Sequence, residues 1–455
     1  MSFRSRFTAA VLVVVMLGCV FWCGITPKDP SGEAPDVLGG KQTLHVWYTD
    51  EALTDYMNSR ALSFMEENEE VRVVPTLVSA VEYLETINEA TMKKELYPDL
   101  YLLTNDSLEK AYMAGLATAV TDPEQKVNES TFSKTALNAV TYQGEKIAYP
   151  FYYETSVFLY NRTYLETMAQ TKAEALASQA QADAAEEEVS EEEAEPVKTV
   201  SGADDLVPQT FDDILALADE YDAPEGVESI LKWDVSDIFY NYFFAGNYMD
   251  IGGETGDDSS VVDVYNEQSV ACMKMYQSLN QFFSIEAEET DYELVLNEFM
   301  QGKTLFTVAT TDAIARLEQA KADGTFTWEY GMTTMPDISS ELATRALSVT
   351  NTVVVNGFGE QKEYANAFAS YLTCDVDASL YERTGKLAAA DGIDYGNSQT
   401  DVAMASYAES VSLPKIMQAS NFWVQLEVAY TGIWKGEDAD AKMQALEEQM
   451  LIQIQ

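Results

Sequence analysis

Acidic and aromatic side chains occur together at several points of the chain, and this combination suits the binding of polar solutes. The densest example is an aromatic and β-branched run over residues 147–161, in which Glu154 is the single acid. Aromatic faces can stack on sugar rings, and a carboxylate accepts hydrogen bonds from hydroxyl groups. An acid in such a run either points to solvent or faces a cleft. Tyr152 and Glu154 are therefore candidate ligand-binding residues.

A second group of acids follows predicted β-strands. Asp50 and Glu51 come after a short strand at 43–48, and Asp106 follows the apolar strand at 98–103. Apolar residues at helical spacing separate these strands, and the strand–helix–strand order predicts a mostly parallel, doubly wound sheet of the α/β class. Ligands on such sheets bind beyond the carboxyl ends of the strands. These three acids are therefore candidate ligand-binding residues as well.

A third group lies in a stretch of closely spaced aromatic residues with acids between them. Its candidates are Trp233, Asp237 and Tyr240. Aromatic residues at this density are most often packed in a core. The interleaved acids favour a cleft lining instead, so both interpretations stay open for this stretch.

The motifs of several enzyme and cofactor classes are missing from the sequence. It contains no phosphate-binding loop, no dinucleotide-binding glycine pattern and no Gly-x-Ser-x-Gly motif. His45 is the only histidine, which excludes zinc motifs with two histidines and argues against a histidine-based triad. We therefore predict a protein without catalytic residues, cofactor or metal. The alternative is a glycan-active enzyme that uses two carboxylates.

Length and charge narrow the range of partners. The chain has 455 residues and a net charge of −49, with a sequence pI of about 4.1. At this length it can bury more than one hydrophobic core. So strong a negative charge argues against nucleic acid and anionic lipid as electrostatic partners. Beyond the N-terminal segment the cysteines are Cys272 and Cys374; we expect two buried free thiols, with a disulfide between them as the alternative.

The N-terminus has the pattern of a secretory signal. Two arginines precede an apolar run that ends at Cys23, and residues 1–23 are predicted to form this segment. The four residues that end at Cys19 resemble a lipoprotein signal box, in which the cysteine is lipidated. An uncleaved membrane anchor is the alternative. Either arrangement tethers the protein to the outer face of the cytoplasmic membrane, with residues 24–41 as a flexible spacer.

Residues 168–206 differ in composition from the rest of the chain. They hold eleven acids and two lysines, and no apolar stripe runs through them. Such a segment cannot bury much apolar surface, so we predict a solvated helix or a disordered insertion. A tolerated surface insertion is the simplest interpretation, and a docking role is the alternative.

Several motifs together resemble the bacterial extracellular solute-binding proteins of ABC importers, of the maltose-binding type. The run 147–161, with its Ile-Ala-Tyr-Pro start, Glu154 and Leu-Tyr-Asn end, resembles the segment that crosses between the two lobes in that family. The resemblance extends over most of the chain from Leu44 onward. Further motifs that match lie at 98–106, 208–214, 302–308 and 419–423.

The resemblance implies a two-lobed α/β fold of the periplasmic-binding-protein type. Each lobe is then a doubly wound sheet with flanking helices, and hinge crossings join the lobes. Lobe I comprises residues 42–151 and 337–388 in this prediction. Lobe II comprises residues 152–336 and 389–455, with 168–206 as an acidic low-complexity insertion.

The resemblance also implies roles for single residues. In maltose-type relatives, the residue matching Trp423 stacks on sugar, and four others contact sugar hydroxyls; these match Thr49, Glu51, Asp106 and Glu154. Leu103 and Ser107 replace an aromatic platform and an arginine, so the first lobe's share of a maltodextrin site is incomplete. Asp312 stands where relatives have a tryptophan, and Glu427 where they have an arginine. The complete candidate set is Thr49, Asp50, Glu51, Asp106, Tyr152, Glu154, Trp233, Asp237, Tyr240, Asp312 and Trp423.

These matches imply a protein that captures a small solute between two lobes and delivers it to an ABC import permease. A sugar or oligosaccharide is the first expectation for the solute. The candidate site holds many acids and few bases, which disfavours anionic ligands and leaves a cationic or peptide solute as the alternative. We expect a monomer that is tethered to the membrane through lipidated Cys19 and has no nucleic-acid partner.

Overall fold

The computed structural model describes residues 41–186, 202–417 and 420–454. The predicted signal segment with Cys19, nearly all of the predicted spacer, and residues 187–201 of the acidic insertion lie outside this part. Among the described residues, no helix combines the length and the apolar character needed to cross a membrane.

The strands of the described chain form one large sheet and two short hairpins. In chain order they are β1 (Gln42–Tyr48), β2 (Val71–Leu77), β3 (Leu100–Thr104), β4 (Thr141–Tyr142), β5 (Glu145–Lys146), β6 (Tyr149–Asn161), β7 (Ser229–Leu231), β8 (Asp250–Ile251), β9 (Val262–Asp263), β10 (Thr304–Thr310), β11 (Tyr330–Thr333), β12 (Leu347–Val355), β13 (Leu387–Ala388) and β14 (Val411–Ser412).

Helices connect most of these strands and cover the sheet. The α-helices are α1 (Thr54–Glu67), α2 (Tyr83–Lys93), α3 (Leu108–Met113), α4 (Lys134–Val140), α5 (Arg162–Glu186), α6 (Phe211–Glu220), α7 (Glu267–Phe283), α8 (Tyr292–Met300), α9 (Asp312–Ala322), α10 (Lys362–Thr373), α11 (Ser379–Thr384), α12 (Ser398–Glu409), α13 (Ser420–Trp434) and α14 (Ala439–Ile454). Short 3₁₀ turns include Glu51–Leu53, Asn105–Ser107 and Ile238–Tyr240.

The large sheet consists of two halves joined by one long strand. In the first half the order is β2-β1-β3-β12-β6, and in the second half β6 continues to β10 and β7. Strand β1 is parallel to β2 and β3, and β10 is parallel to β7. The crossing strand β6 pairs antiparallel with β12, β10 and β11. The sheet is therefore mixed, with parallel pairs in both halves.

Strand β6 is the central element because it belongs to both halves. Its aromatic and β-branched side chains alternate between the two faces of the sheet and are packed on each, so an extended conformation buries nearly all of them. Pro150 has no amide hydrogen, and it lies near the beginning of the strand opposite Thr352, where the pairing with β12 shifts register. Glu154 is the one partly exposed residue of β6.

Buried side chains form layers on both faces of the sheet. In the first half, Leu100 and Leu102 pack with α1 and α10, whereas Tyr101 and Leu103 pack with α2 on the opposite face. In the second half, Phe306 packs with α7 and α13. The layer under α1 also continues along β6 to α9, so a hydrophobic core runs through both halves. Each half thus has helices on both faces of its strands, as in a doubly wound sheet.

The two cysteines of the described chain are free. Cys272 is buried in α7, and Cys374 follows α10 and is partly exposed. The expectation of two free thiols thus agrees with the structure, but only Cys272 is fully buried.

Candidate ligand-binding cleft

Residues from distant parts of the chain meet where the two halves of the sheet join. Asp50 follows β1, Glu154 lies in the middle of β6, and Asp312 begins α9. Lys386 precedes β13, which pairs with β6 and so brings this lysine beside Glu154. Three tyrosines border these charged groups. We call the whole group the cleft cluster; it consists of Asp50, Tyr152, Glu154, Tyr240, Tyr292, Asp312 and Lys386.

Lys386 connects the acids of the first half. Its Nζ lies 2.7 Å from Oδ2 of Asp50 and 3.9 Å from Oε1 of Glu154. The same ammonium group lies 4.7 Å from the ring centroid of Tyr152, at a distance typical of a cation–π contact. Asp50 is fixed from its other side, because its Oδ1 accepts a hydrogen bond from the Ala52 amide at 2.9 Å and caps the following turn.

Glu154 is the least satisfied acid of the cleft cluster. Its side chain is 45% exposed, and no hydrogen-bond donor contacts its carboxylate among the described residues. Partial burial raises the pKa of Glu154 above its ordinary value, Lys386 opposes this shift, and the negative charges of Asp312 and Asp50 add to it. The carboxylate therefore has free acceptor positions and lies in a field of like charges.

Tyr240 and Tyr292 form the aromatic part of the cleft cluster. Their rings stack with centroids 4.9 Å apart and an interplanar angle of 16°. Tyr240 ends the turn Ile238–Tyr240, and Tyr292 begins α8, so two separate elements supply the pair. Burial raises the pKa of Tyr240, and nearby acids that include Asp237, Asp312 and Glu154 add to the shift. This tyrosine pair and the acids thus border the same space.

Asp312 is held in place by its neighbours. Its Oδ1 accepts hydrogen bonds from the hydroxyls of Tyr292, at 2.7 Å, and of Thr310. Its Oδ2 lies 3.3 Å from Nη1 of Arg316, which also binds both carboxylate oxygens of Glu293 at 2.8 and 2.7 Å. Arg316 therefore divides its charge between two acids, and Asp312 is only partly neutralised.

A further acidic pair lies beside the turn that carries Tyr240. Asp237 caps this turn by accepting a hydrogen bond from the Phe239 amide at 2.8 Å. Burial raises the pKa of Asp237, and the Phe239 bond opposes the shift. Glu427 of α13 is exposed, and burial and the charge of Asp237 raise its pKa. No ion pair in the described chain involves either acid.

Trp423 lies one helical turn before Glu427 on α13. It is half-buried, and its ring packs against Phe422, with centroids 5.5 Å apart, and against Tyr242 at 5.9 Å. Its remaining surface is available to a ligand, so the structure is compatible with the stacking role expected from the resemblance.

Three predicted residues of the first half, Thr49, Glu51 and Asp106, are not bonded to Glu154 or Lys386 within the described chain. Glu51 is exposed in the first turn after β1, and Thr49 is half-buried beside it. Asp106 accepts hydrogen bonds from Thr104, two residues before it, and from Ser107, the residue after it.

Trp233 lies in the core of the second half. Its side chain is fully buried, its Nε1 donates a hydrogen bond to Asn241 at 2.8 Å, and its ring packs on Trp434 at 5.3 Å. No surface of this side chain remains for a ligand, because the helices on both sides of it exclude solvent. We therefore leave Trp233 out of the proposed ligand-binding set and treat it as a core residue.

The sequence analysis did not identify Lys386 or Tyr292. Lys386 reaches the cleft cluster only because β13 pairs with β6, a contact between distant segments that no local pattern indicates. The sequence around Tyr292 gives only a weak indication. Asp291 is a typical helix-capping residue, so Tyr292 is expected in the first turn of a helix. That signal predicts the start of α8, but it does not predict where the tyrosine ring points.

Solved structures with a similar fold are described as complexes with maltose or maltotetraose. An extracellular solute-binding protein from Staphylococcus aureus in complex with maltose superposes with a TM-score of 0.72 at 16% identity, covering 92% of this chain and 99% of the other. A cyclo/maltodextrin-binding protein complexed with maltotetraose gives 0.70 at 18% identity, with 92% and 99% covered. At these identities the likeness establishes the fold: an α/β protein of two lobes like those of maltose-binding proteins.

Another similar structure is the maltose-binding periplasmic protein MalE from Listeria monocytogenes in complex with maltose, with a TM-score of 0.69, 17% identity, and 91% and 98% of the two chains covered. A search of curated protein sequences gave no match. The sequence profile of one family, described as bacterial extracellular solute-binding protein, matches residues 60–405, which is well over half of the chain. This chain therefore belongs to the family of bacterial extracellular solute-binding proteins.

Proposed function

We propose that this chain is a membrane-tethered extracytoplasmic protein that captures a sugar or oligosaccharide between its two lobes and delivers it to an ABC import permease. The observation that carries the proposal is the cleft cluster, in which carboxylates and stacked tyrosines meet at the junction of the two halves. Family membership supports solute binding, and the sugar complexes of the structural neighbours support the choice of a sugar.

Binding combines two physical contributions. The tyrosine pair offers an aromatic face to a sugar ring, and Glu154 and Asp312 accept hydrogen bonds from its hydroxyls. Closure of the two lobes removes these contacts from water, which strengthens each hydrogen bond. The proposed ligand-binding residues are Thr49, Asp50, Glu51, Asp106, Tyr152, Glu154, Asp237, Tyr240, Tyr292, Asp312, Lys386 and Trp423.

The proposal includes a division into lobes. Lobe I comprises residues 42–151 and 337–388, and lobe II comprises residues 152–336 and 389–455. Strand β6 then provides the first crossing between the lobes. Strands β12 and β13, which both pair with β6, lie next to the second and the third crossing. Because crossings of this kind concentrate at one place, small backbone changes there can close the lobes on a solute.

Membrane tethering through Cys19 has its own test. We expect Cys19→Ala to abolish metabolic lipid labelling and to change the release of the protein from the membrane, whereas Cys23→Ala does neither. Normal labelling of the Cys19→Ala protein would reject the assignment of this cysteine.

The central test is a thermal-shift screen of the purified protein against sugars, peptides and polyamines, followed by calorimetric titration of the best compounds. A ligand that binds only the folded state raises the melting temperature by mass action. We expect a sugar or oligosaccharide among the compounds that do so. The proposal is wrong if compounds of other classes bind and no sugar does.

The family consists of binding proteins, and we propose no catalysis for this chain. Two carboxylates beside a sugar are also the arrangement of glycosidases, so the screen includes product analysis after long incubation with each bound glycan. We expect the glycan to be recovered intact. Sustained turnover would replace the binding-only proposal with an enzymatic one.

A further inference from the structure

The crossing strand β6 has the cleft cluster on one face and a second group of contacts on the other. Successive side chains of a strand point to opposite faces of its sheet. Glu154 belongs to the cleft cluster, whereas Tyr153 before it stacks on Tyr407 of α12, with ring centroids 3.8 Å apart. Helix α4 lies on the Tyr153 side as well, because Thr135 of α4 donates a hydrogen bond to the Ala408 carbonyl of α12 at 2.7 Å. The cleft cluster and the contacts of α4 therefore lie on opposite faces of β6.

We call the contact region on this second face the seam; it is formed by α4, the loop between β8 and β9, and residues 411–417. In the proposed division α4 belongs to lobe I, and the other two segments belong to lobe II. Lys415 is fully buried there, and its Nζ donates hydrogen bonds to the carbonyl oxygens of Asn138 of α4, at 2.9 Å, and of Thr255 of the loop. Its ammonium group thus joins the two lobes.

Further bonds cross the seam around Lys415. At the edge, the Gln143 amide donates to Asp257 of the loop at 2.6 Å. Lys134 of α4 forms an ion pair with Glu254 of the same loop. The seam is therefore a bonded contact between the lobes, with a buried lysine inside it and polar pairs at its margin.

The cleft side lacks such bonds between its walls. Within the described chain, no hydrogen bond or ion pair joins Asp50 of lobe I to Tyr240 or Asp312 of lobe II. The seam is thus formed while these walls of the cleft are unconnected. A rotation about the crossing strands that brings the walls together moves groups on the opposite face apart. We therefore expect closure of the cleft to open the seam.

We propose that the seam is a latch that holds the two lobes apart, and that Lys415 is the residue that locks it. Closure on a solute then requires the ammonium group to leave the carbonyl oxygens of Asn138 and Thr255. Part of the binding free energy is used to open the latch, so a weaker seam gives tighter binding although it lies outside the cleft. This inference goes beyond the proposed function, because the protein without solute can report on it.

The protonation of Lys415 makes the latch depend on pH. Burial lowers the pKa of Lys415 to about 8, and Asp257 opposes the shift. After it leaves the seam for solvent, the amine regains an ordinary lysine pKa above about 10, so opening of the latch takes up a proton. Rising pH therefore favours the formed seam, by up to about tenfold per pH unit between about pH 8 and pH 10.

Other charged groups also border the seam. Those on the elements around Lys415 are Lys134 of α4, Glu109 of α3, and Asp250, Glu254, Asp257 and Asp258 of the loop. The ion pair raises the pKa of Lys134 and lowers that of Glu254, and the bonds from Ser260 lower the pKa of Asp258. These three groups therefore keep their charges between about pH 7 and pH 9.5, where Lys415 loses its own.

Small-angle neutron scattering of the purified full chain, without solute and in contrast-matched detergent, tests the latch. The radius of gyration is larger when the lobes are apart than when they are closed. For the native protein we expect it to increase between about pH 7 and pH 9.5, as the seam forms more completely. Lys415→Met has no titrating group at this position, so it should remove the dependence on pH.

Two charge-reversal variants test the same contact at constant pH. Lys415→Glu places a carboxylate against carbonyl oxygens, which is unfavourable in a buried contact, so it should open the seam and lower the radius of gyration at about pH 7. Lys274→Glu makes the same change of charge at an exposed position of α7 and should leave the radius unchanged. Circular dichroism shows whether both variants are folded.

The outcomes decide the inference without a solute. A native radius that is the same at both pH values, or an equal change in Lys415→Met, overturns the role of Lys415; this comparison holds even if Lys415→Glu does not fold. A folded Lys415→Glu protein with the native radius shows that the seam does not hold the lobes apart. Failure of the sugar screen rejects the proposed function instead, and it leaves all of these outcomes unaffected.

Discussion

Two regions in which the halves of the molecule meet differ in how far their polar side chains are hydrogen-bonded. In the cleft cluster, Glu154 lacks a hydrogen-bond donor and three carboxylates repel one another. The second region is the seam, which is formed by α4, the loop between β8 and β9, and residues 411–417. There the fully buried Lys415 donates hydrogen bonds to the carbonyl oxygens of Asn138, at 2.9 Å, and of Thr255.

Other polar groups of the seam are satisfied in the same way. The buried Asn105 donates to the Leu413 carbonyl at 2.7 Å and accepts from the Thr350 amide at 3.0 Å, and at the exposed edge the Gln143 amide donates to Asp257 at 2.6 Å. Buried polar groups are tolerated when they are paired, and unpaired ones are costly. The comparison teaches that the buried polar groups of the seam have hydrogen-bond partners, whereas the cleft leaves the carboxylate of Glu154 without a hydrogen-bond donor from the described chain.

The largest effect is expected in the core, where the difference between packing and binding is clearest. Trp233→Ala removes a fully buried side chain and its hydrogen bond to Asn241. Substitutions of this kind cost about 3–5 kcal/mol of stability. Urea unfolding of the variant measures the loss, and Trp423→Ala is the matched control because that tryptophan is only half-buried. A stable Trp233→Ala protein that no longer binds solute would return Trp233 to the ligand-binding set.

The next effect is expected at the seam, as a dependence of stability on pH. Burial lowers the pKa of Lys415 to about 8, and Asp257 opposes the shift. Between about pH 8 and the ordinary lysine pKa above 10, the unfolded chain retains a proton that the folded chain has released. The free energy of unfolding therefore rises with pH across this window and is unaffected by this group below it. The rise amounts to about 3 kcal/mol at most, since one pKa unit corresponds to about 1.4 kcal/mol.

Lys415→Met isolates this contribution, because methionine keeps most of the side-chain length and does not titrate. Urea midpoints of both proteins are measured between about pH 7 and pH 10. Above that range the raised pKa values of buried tyrosines such as Tyr101 and Tyr242 lower stability and obscure the trend. We expect the native protein to gain stability relative to the variant as pH rises. Parallel curves would show that Lys415 does not titrate in the seam.

Trp423→Ala is expected to lower stability less than Trp233→Ala does, and its main effect is expected on the affinity for the solute. The ring of Trp423 is half-buried against Phe422 and Tyr242, so Trp423→Ala should cost less stability than the core variant. Loss of a stacking residue from a binding site costs about 2 kcal/mol or more in affinity, roughly thirtyfold. Titration with the best ligand of the screen measures the second quantity. If the variant binds normally, or does not fold, Trp423 is not a ligand platform and the site does not extend to α13.

Local sequence patterns predicted much of the fold. The strand–helix–strand order of the first half follows from the spacing of apolar residues, and the aromatic and β-branched residues of 147–161 favour the extended conformation of β6. The position of Pro150 near the start of β6 was also predictable. Proline has no amide hydrogen to donate, so it disturbs the hydrogen bonds of a sheet least at the beginning of a strand. The antiparallel pairing of β6 with β12 was not, since it depends on segments far apart in sequence.

The site was harder to predict for the same reason. Trp233 and Trp423 have similar aromatic surroundings in sequence. Phe283 of α7 and Trp434 at the end of α13 pack on the buried ring of Trp233, whereas Trp423 is left half-exposed. Glu154 was identifiable as a lone acid in an apolar run, whereas Lys386 becomes its neighbour only through the pairing of β13 with β6. Residue type and spacing thus identified the acids of the cleft but not the cation that partly neutralises them.

The smallest effect is expected from the acidic insertion, which belongs to neither contact region. Helix α5 continues directly from β6, and among its residues up to Ser178 the buried ones include Leu165, Met168 and Ala169, which all precede Gln170. From Gln170 to Ser178 none of the side chains is buried, and the ion pair between Lys172 and Glu220, at 2.8 Å, is largely exposed. Surface ion pairs of this kind contribute little to stability.

Deletion of residues 173–198 keeps the packed first part of α5 and removes most of the acids of the insertion. We expect the melting temperature to change by no more than about 2–4 °C, which corresponds to roughly 1 kcal/mol for a protein of this size. Removal of like charges can offset part of the loss, because a strongly negative chain repels itself in the compact state. Calorimetric melting and solute titration of the deletion variant test both parts of the expectation. A collapse of soluble expression, or a loss of affinity, would show that the segment packs on a lobe and contributes to the cleft.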